Sequence, residues 1–424
     1  MRLLTLERLL TPERLRRIGI CIFVTNVVLY SLVVALGHFP SDALHGVVAQ
    51  DFLGHLTGGI LLATGKKAQL YDVQAQYALQ VALTHRPEYV EVFISPPLVA
   101  YLYAPFALLG YGGGLVVWLA LTVGMLVASG LVLLRLMPSV PRQGQVLVLL
   151  LAAASHPAIQ LLGSGQDTAI SLLLWSAGVL LALRGRGAAS GLVFSLGLFK
   201  PQLFALPPLL FLVWGRKRAL GVWTASALAQ VGLTLALVGE GGVRAWLGIL
   251  RSPAYLDFLQ DKMAYKMTSL APFFRSLVPA PWGGPARAVG GVLSVALAAA
   301  AVWCVRRPVA RAVDERVAWA LACLTTLVAS PHLFYYDLTL AVLPLALFVE
   351  AQPELSLRFR RALLAAYVLC WLAPLREAFI DFPWPVNILG ASWLPIPLFV
   401  LWLAMARAAA PAPPLRELPV QLRV

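Results

Sequence analysis

Charge is what this chain has least of. Asp, Glu, Lys and Arg make up 12% of its 424 residues, whereas 60% are hydrophobic. An ordinary soluble domain is about a quarter charged and nearer half apolar, so that class is excluded. Cysteine is scarce as well. Cys21, Cys304, Cys323 and Cys370 are scattered within apolar runs and have no metal-ligand spacing, which excludes a disulfide framework and a zinc site and leaves packed thiols. Acidic residues number 19 against 33 Lys and Arg. No internal repeat is visible, which argues against a transporter built from inverted halves.

What the sequence has in abundance is apolar runs of about 20 residues, recurring along its length as in a polytopic helical membrane protein. The excess of positive charge sits between those runs, as "RLRR" (14–17), "GRKR" (215–218), "RRPVAR" (306–311) and "RFRR" (358–361). That distribution is what the positive-inside rule produces, with added attraction to an anionic leaflet, and it argues against nucleic-acid binding. At the N-terminus Arg2, Arg8, Arg14, Arg16 and Arg17 precede an apolar run at 18–37. The run is long for a signal-peptide core and "VALGHFP" is a poor cleavage site, so it reads as a retained first span with a cytoplasmic N-terminus.

One segment decides the parity. "PPLVAYLYAPFALLG" (96–110) is short and broken by Pro96, Pro97 and Pro105. If it crosses, every later basic cluster flips outward. If it stays juxtamembrane, most Lys and Arg lie in the cytoplasm. The second assignment predicts a single all-α integral-membrane domain over 1–424, with about 12 transmembrane helices and both termini cytoplasmic. Its spans are 18–37, 114–134, 144–162, 167–183, 187–199, 202–214, 219–238, 288–305, 313–329, 335–350, 362–376 and 390–406. Two large loops face outward, 38–113 and 239–287, with short outer turns at 163–167, 199–202, 330–337 and 376–385. Most acidic residues fall on this face, so chemistry is expected there.

In the first outer loop, "DFLGHLTGGILLATG" has the apolar spacing of an amphipathic helix stopped by Gly65. Asp72 is placed as the N-cap of a second, interfacial helix from Val73. Asp51, at the membrane boundary, is equally readable as a helix cap and as a catalytic base. "SPHLFYYD" (330–337) brings Ser330, His332, Tyr335, Tyr336 and Asp337 to a helix boundary. A histidine and a carboxylate there suit a phosphate, a sugar or each other. Lys200, in "LFKPQLF", either snorkels or faces a cavity as the partner of an anion. Gln166 and Asp167 offer hydrogen bonds to a polar ligand, and Asp167 also suits the N-cap of the next span. Arg376 and Glu377 are placed to pair.

Five pieces in order then carry a resemblance: "DFLGHLTGGILLATGKKAQLYD" (51–72), "SPPLVAYLYAPFALL" (95–109), "GQDTAISLLL" (165–174), "GLVFSLGLFKPQLFALPPLLFL" (191–212) and "SPHLFYYDLTLAVLPL" (330–345). The chain resembles glycosyltransferase family 87, membrane enzymes of the GT-C superfamily that include polyprenol-phosphate-mannose-dependent mannosyltransferases. The resemblance implies a GT-C-type bundle in the cell inner or plasma membrane. It implies transfer of a hexose, mannose in the best-known relatives, from a polyprenyl-phosphate donor to a glycolipid or glycan acceptor on the periplasmic side. The matching position for the general base is Asp51, and those for the donor phosphate are Lys200 and His332. Gln166, Tyr336, Asp337, Tyr71 and Asp72 are the sugar or acceptor candidates.

The chemistry is consistent with that assignment. A single inverting displacement needs one base, and a lipid phosphate leaves as an anion without an acid, so cationic groups replace the second carboxylate of a glycosidase. No carboxylate cluster looks like a metal cage, so metal independence is expected. No soluble nucleotide-binding domain or glycine-rich phosphate loop is present, which argues against a cytoplasmic nucleotide-sugar donor. The segment "AYKMTSLAPFFRSL" (264–277) lacks the Asn-Gln-Ser-like pattern expected in relatives and leaves acceptor recognition open. A flippase or transporter of lipid-linked sugars, and a non-catalytic envelope-assembly protein, are the alternative readings.

Overall fold

A computed structural model of the chain describes residues 11–88, 90–306 and 314–409. Arg2, Arg8, Arg307, Arg311 and both chain ends, which the charge pattern assigns to the cytoplasm, lie outside the described residues. Those described are helical, with no strand among them.

The chain opens with α1 (Pro12–Ala35), whose start is set by Pro12 in the first turn and by Thr11, whose hydroxyl accepts from Arg14 N at 3.4 Å. The first outer loop supplies α2 (Gln50–Ala63), α3 (Val73–Thr84) and α4 (Pro97–Ala107). Asp72 caps α3 as expected, accepting from Gln74 N at 2.9 Å and Ala75 N at 3.2 Å. The 11 residues of α4 extend about 16 Å, half the thickness of a bilayer core. Helix α4 packs on α2.

Next come α5 (Gly110–Leu136), α6 (Arg142–Ala153), α7 (His156–Ser164), α8 (Thr168–Leu183), α9 (Gly187–Ser195), α10 (Leu206–Val213) and α11 (Lys217–Ile249). The chain ends with α12 (Leu270–Ser276), α13 (Gly283–Val305), α14 (Glu315–Ala329), α15 (Val342–Ala351), α16 (Leu357–Trp371) and α17 (Pro395–Ala409). Four stretches among the described residues are long and apolar enough to cross a membrane: Pro12–Ala35, Gly110–Leu136, Lys217–Lys262 and Ala280–Val305. The pair α6 and α7, bent by 50°, makes a fifth.

The other apolar runs fold as shorter helices because the sequence punctuates them. Ser155 and Pro157 restart the chain at α7, Pro201 and Pro207 break the run between α9 and α10, and Gly239 (φ 70°) breaks α11. Along α1, α5, α11 and α13 large apolar side chains such as Val24, Val116, Leu228 and Val292 stay exposed, as a lipid-facing surface requires.

Two apolar clusters hold the bundle. One centres on Trp175, Phe194, Phe211, Trp214 and Trp319; the other on Phe52, Tyr103, Phe106, Tyr111 and Trp118, directly beside Asp51. The second forms because α2 carries small residues where α4 and its lead-in cross it. A Cβ at Gly59 would lie 2.7 Å from the Tyr103 carbonyl, and one at Gly58 would lie 3.0 Å from the Phe93 ring.

Candidate active site

Six segments distant in sequence line one cavity of about 200 Å³: Asp51, Gly54 and His55 on α2; Glu91–Pro96; Gln166; Phe199–Gln202; Trp246 to Leu259; and Pro331 to Asp337. Every one belongs to a loop or turn that charge patterning assigned to the outer face. The turns assigned to the other face contact one another instead. Arg216 pairs with Glu315 at 2.6 Å, Trp214 Nε1 donates to Val305 O at 2.7 Å, and Ser139 N donates to Glu350 Oε2 at 2.9 Å.

The cavity is built around Lys200. The break between α9 and α10 sets it in an extended backbone (φ −125°, ψ 73°), which turns its side chain inward. Its Nζ lies 2.7 Å from Asp167 Oδ1 and 3.0 Å from Asp337 Oδ1, and donates to Thr168 Oγ1 at 3.2 Å. Both carboxylates are deeply buried. Asp167 stands at the N-cap position of α8 but makes no capping bond, because its carboxylate is turned to the lysine. Asp337 also accepts from the Thr168 hydroxyl at 2.6 Å and from Phe334 N at 3.3 Å. An ammonium group has three donors. Here Nζ donates to Asp337 and Thr168 and is ion-paired with Asp167, and the Thr168 contact is the longest.

Asp51 enters through an unusual backbone. Ala49 before it adopts a left-handed conformation (φ 55°, ψ 54°) and is buried against Gly165, where a Cβ would lie 2.7 Å from Phe52 Cβ. An alanine there costs about 1 kcal/mol, a strain characteristic of functional positions. The turn at 163–165 is pinned in place by Tyr30, whose hydroxyl donates to Gly163 O, and by Trp118, whose Nε1 donates to Gly165 O at 2.7 Å. Burial pushes the Asp51 carboxyl above its ordinary value, opposed by the Ser164 hydroxyl, His55 and Lys200 and reinforced by Asp167. A carboxylate so raised is a stronger proton acceptor than one in water.

His55, one turn on, donates from Nδ1 to Asp51 O at 2.8 Å. That leaves Nε2 facing the cavity, 3.4 Å from Ser95 Oγ and 3.7 Å from Asp167 Oδ2. His332 is held by Gln260, whose Nε2 donates to its Nδ1 at 3.1 Å, and by Tyr255 stacked on its ring. Nε2 of His332 therefore carries the proton. Burial lowers its pKa to about 4, so at neutral pH the ring is an uncharged donor.

Of the residues singled out in the sequence, Asp51, Gln166, Lys200, His332, Tyr336 and Asp337 line the cavity together. Tyr71 and Asp72 are not among its lining residues. Tyr71 supports the wall, donating to Ser95 O at 2.7 Å, and Asp72 caps α3. Arg376 and Glu377 do not pair. Glu377 lies 3.5 Å from Lys266, while Arg376 is buried over Tyr335 and donates to Tyr265 O. Thr268 and Ser269 are buried outside the lining.

Sequence reasoning passed over His55, Thr168 and Glu91. His55 had a signal, since it falls four residues after Asp51 on one helix face. Thr168 had only its adjacency to Asp167. Among the described residues no group of three or more His, Cys, Asp or Glu is arranged to hold a metal ion.

The family description "glycosyltransferase family 87" matches residues 93–331, more than half of the chain. The matched span contains Gln166 and Lys200, ends one residue short of His332 and begins beyond Asp51. No curated protein and no solved structure matches the chain.

Proposed function

The chain belongs to glycosyltransferase family 87 and is a membrane glycosyltransferase, and from that premise we propose that it moves a hexose, mannose in the first instance, from a polyprenyl-phosphate donor to a glycolipid or glycan acceptor on the outer face of the membrane. The observation that carries the reading is the convergence of Asp51, Lys200 and His332, from three distant segments, on one cavity. The same convergence supports an outer-facing site and the parity of the twelve-span topology, because outer-assigned segments alone line it.

In the proposed reaction the acceptor hydroxyl oxygen attacks the anomeric carbon and the bond from that carbon to the phosphate oxygen breaks. The hydroxyl proton goes to Asp51, and the electron pair leaves on the phosphate. Attack from the face opposite the phosphate inverts the anomeric centre. Lys200 meets the phosphate by releasing its longest contact, Thr168, while Asp167 and Asp337 keep the ammonium aimed. His332 adds a neutral donor from Nε2. The scheme calls on no metal.

The test is Asp51→Asn, which keeps size and polarity. Purified in nanodiscs, it should transfer labelled sugar from a polyprenyl-phosphate donor at least 100-fold more slowly than wild type, a typical lower value for losing a positioned base. Donor binding should be retained, and chelation should leave the wild-type rate unchanged. Transfer by Asp51→Asn at the wild-type rate would remove the base assignment.

A further inference from the structure

Glu91 is the one carboxylate in the cavity that the proposed reaction does not use. It is held with unusual care. Gln80 on α3, fully buried, accepts from Glu91 N at 2.9 Å and donates to Glu91 O at 2.6 Å, so one side-chain amide clamps both backbone groups. One turn earlier Gln76 does the same for Phe93, accepting from its N at 2.7 Å and donating to its O at 3.3 Å. The two glutamines act as a surrogate strand. They fix 91–93 extended, so that the side chains of Glu91 and Phe93 point the same way, onto α2. Glu91 lies over Gly54, where a Cβ would be 3.0 Å from its Cγ. Gly54 is three residues after Asp51 on the same helix.

The carboxylate itself has no hydrogen-bond or ion-pair partner among the described residues. A half-buried carboxyl group that lines a cavity without a partner, and is fixed this firmly, is prepared for something that arrives. Its surroundings say what. Asp51 feels the charges of Lys200 and Asp167, whereas Glu91 feels those of Asp51 and Lys266. The base thus has Lys200, with its two carboxylates, as one charged neighbour and Glu91 as another group that feels its charge. A carboxyl group accepts from hydroxyl groups and, when protonated, donates to them as well. The wall beside it is aromatic: Trp246 is pinned by its Nε1 donating to Ile94 O at 3.1 Å, and its ring lines the same cavity. A carboxylate next to a fixed indole suits a sugar, with hydroxyls on one edge and an apolar face.

We propose that Glu91 is the specificity-determining residue for the acceptor, receiving hydroxyls of the acceptor sugar against Trp246, and that Gln80 is the residue that positions it. This rests on the reaction proposed above and names which end of the cavity takes the acceptor. Donor phosphate at Lys200 and acceptor at Glu91 then flank Asp51 from two sides, as a base serving an in-line attack requires.

The experiment compares wild type with Glu91→Gln and Gln80→Leu, using n-octyl hexosides as acceptor probes and labelled polyprenyl-phosphate mannose as donor. A hydrogen bond between neutral groups contributes about 0.5–1.5 kcal/mol. Glu91→Gln should therefore raise the acceptor KM roughly 2- to 13-fold while leaving the dissociation constant for polyprenyl phosphate within twofold. Gln80→Leu should move the same parameter in the same direction, and Glu91→Asp should recover part of the loss. Direct binding of the octyl hexoside to donor-free protein should weaken in parallel.

Unchanged acceptor KM and hexoside binding in Glu91→Gln would overturn the proposal and leave the reaction standing. Equal losses of donor and acceptor binding would assign Glu91 to general architecture and overturn it as well. A wild type that transfers no sugar from the lipid donor would instead remove the reaction itself, and the proposal with it.

Discussion

Lys200 has two separable duties, and removing it separates them. Lys200→Met keeps the length of the side chain and deletes the ammonium. Asp167 and Asp337, both deeply buried and respectively 2.7 and 3.0 Å from Nζ, would then lose their counter-ion together. Breaking a buried pair by removing one partner costs about 3–5 kcal/mol, because the remaining charge is left uncompensated. Here two carboxylates are stranded, which puts the expected loss at the upper end of that range. For a chain of this size each kcal/mol moves the melting temperature by about 2 °C. A fall on the order of 10 °C is expected in a detergent melt followed by tryptophan fluorescence.

The triple variant Lys200→Met, Asp167→Asn, Asp337→Asn removes all three charges while preserving shape. It should recover most of the stability, since replacing a whole buried ionic group is often neutral where breaking it is not. It should not recover transfer, because the phosphate still lacks its cation. A triple variant with near-wild-type transfer would refute the phosphate role of Lys200 and leave it a structural strut. A single variant that melts within 2 °C of wild type would refute the reading of the buried cluster.

Two further outcomes follow from the packing and the charges. Gly59→Val should lower both stability and transfer. Its first carbon would lie 2.7 Å from the Tyr103 backbone, which cannot rotate away. Overpacking of this kind costs about 1–3 kcal/mol, and α2 carries Asp51. Circular dichroism against activity tests it, and full activity would argue that α2 and α4 are not rigidly docked. Stability should also pass through a maximum with pH. Burial, reinforced by Asp51, pushes Glu91 from an ordinary 4.5 up to about 8. Its protonated form therefore adds stability that is complete below 4.5 and lost as pH rises through 8. His332 is lowered from 6.5 to about 4, so its contribution is complete above 6.5 and lost as pH falls through 4. Melting curves of Glu91→Gln should flatten the alkaline arm and those of His332→Gln the acid arm. Unchanged arms would show that these groups are more hydrated than their burial implies.

Periodicity and charge made the helical membrane character legible, and the resemblance pointed to Asp51, Lys200 and His332 before any contact was known. Asp72 was legible because a cap is a local event, settled by the residue and its next three amides. Asp167 stayed open between a cap and a polar contact for the same reason. Its local environment predicts a cap, and only the fold brings Lys200 close enough to take its carboxylate away. Glu91 was illegible because its position depends on two glutamines one helix back, and an isolated glutamate in a loop carries no trace of them. The apolar runs overstate continuity, since Ser155, Pro157, Pro201 and Gly239 break helices within stretches whose hydropathy looks unbroken.

The charges of the cavity suit a reaction that shifts negative charge from a base to a leaving group without changing the total. Asp51 and a lipid phosphodiester each bring one negative charge to the proposed reaction. At its end Asp51 is neutral and the phosphate monoester carries two. What changes is where the charge sits: it leaves the Asp51 carboxyl, where burial disfavours it, and arrives where Lys200 and His332 face the cavity. The desolvation of the base is therefore relieved during the reaction, and attraction at the phosphate grows in step. Interactions that strengthen only as the reaction proceeds lower the barrier, whereas those present equally at the start do not. The two carboxylates on Lys200, which look unfavourable for binding an anion, hold its ammonium where the growing charge on the phosphate can meet it.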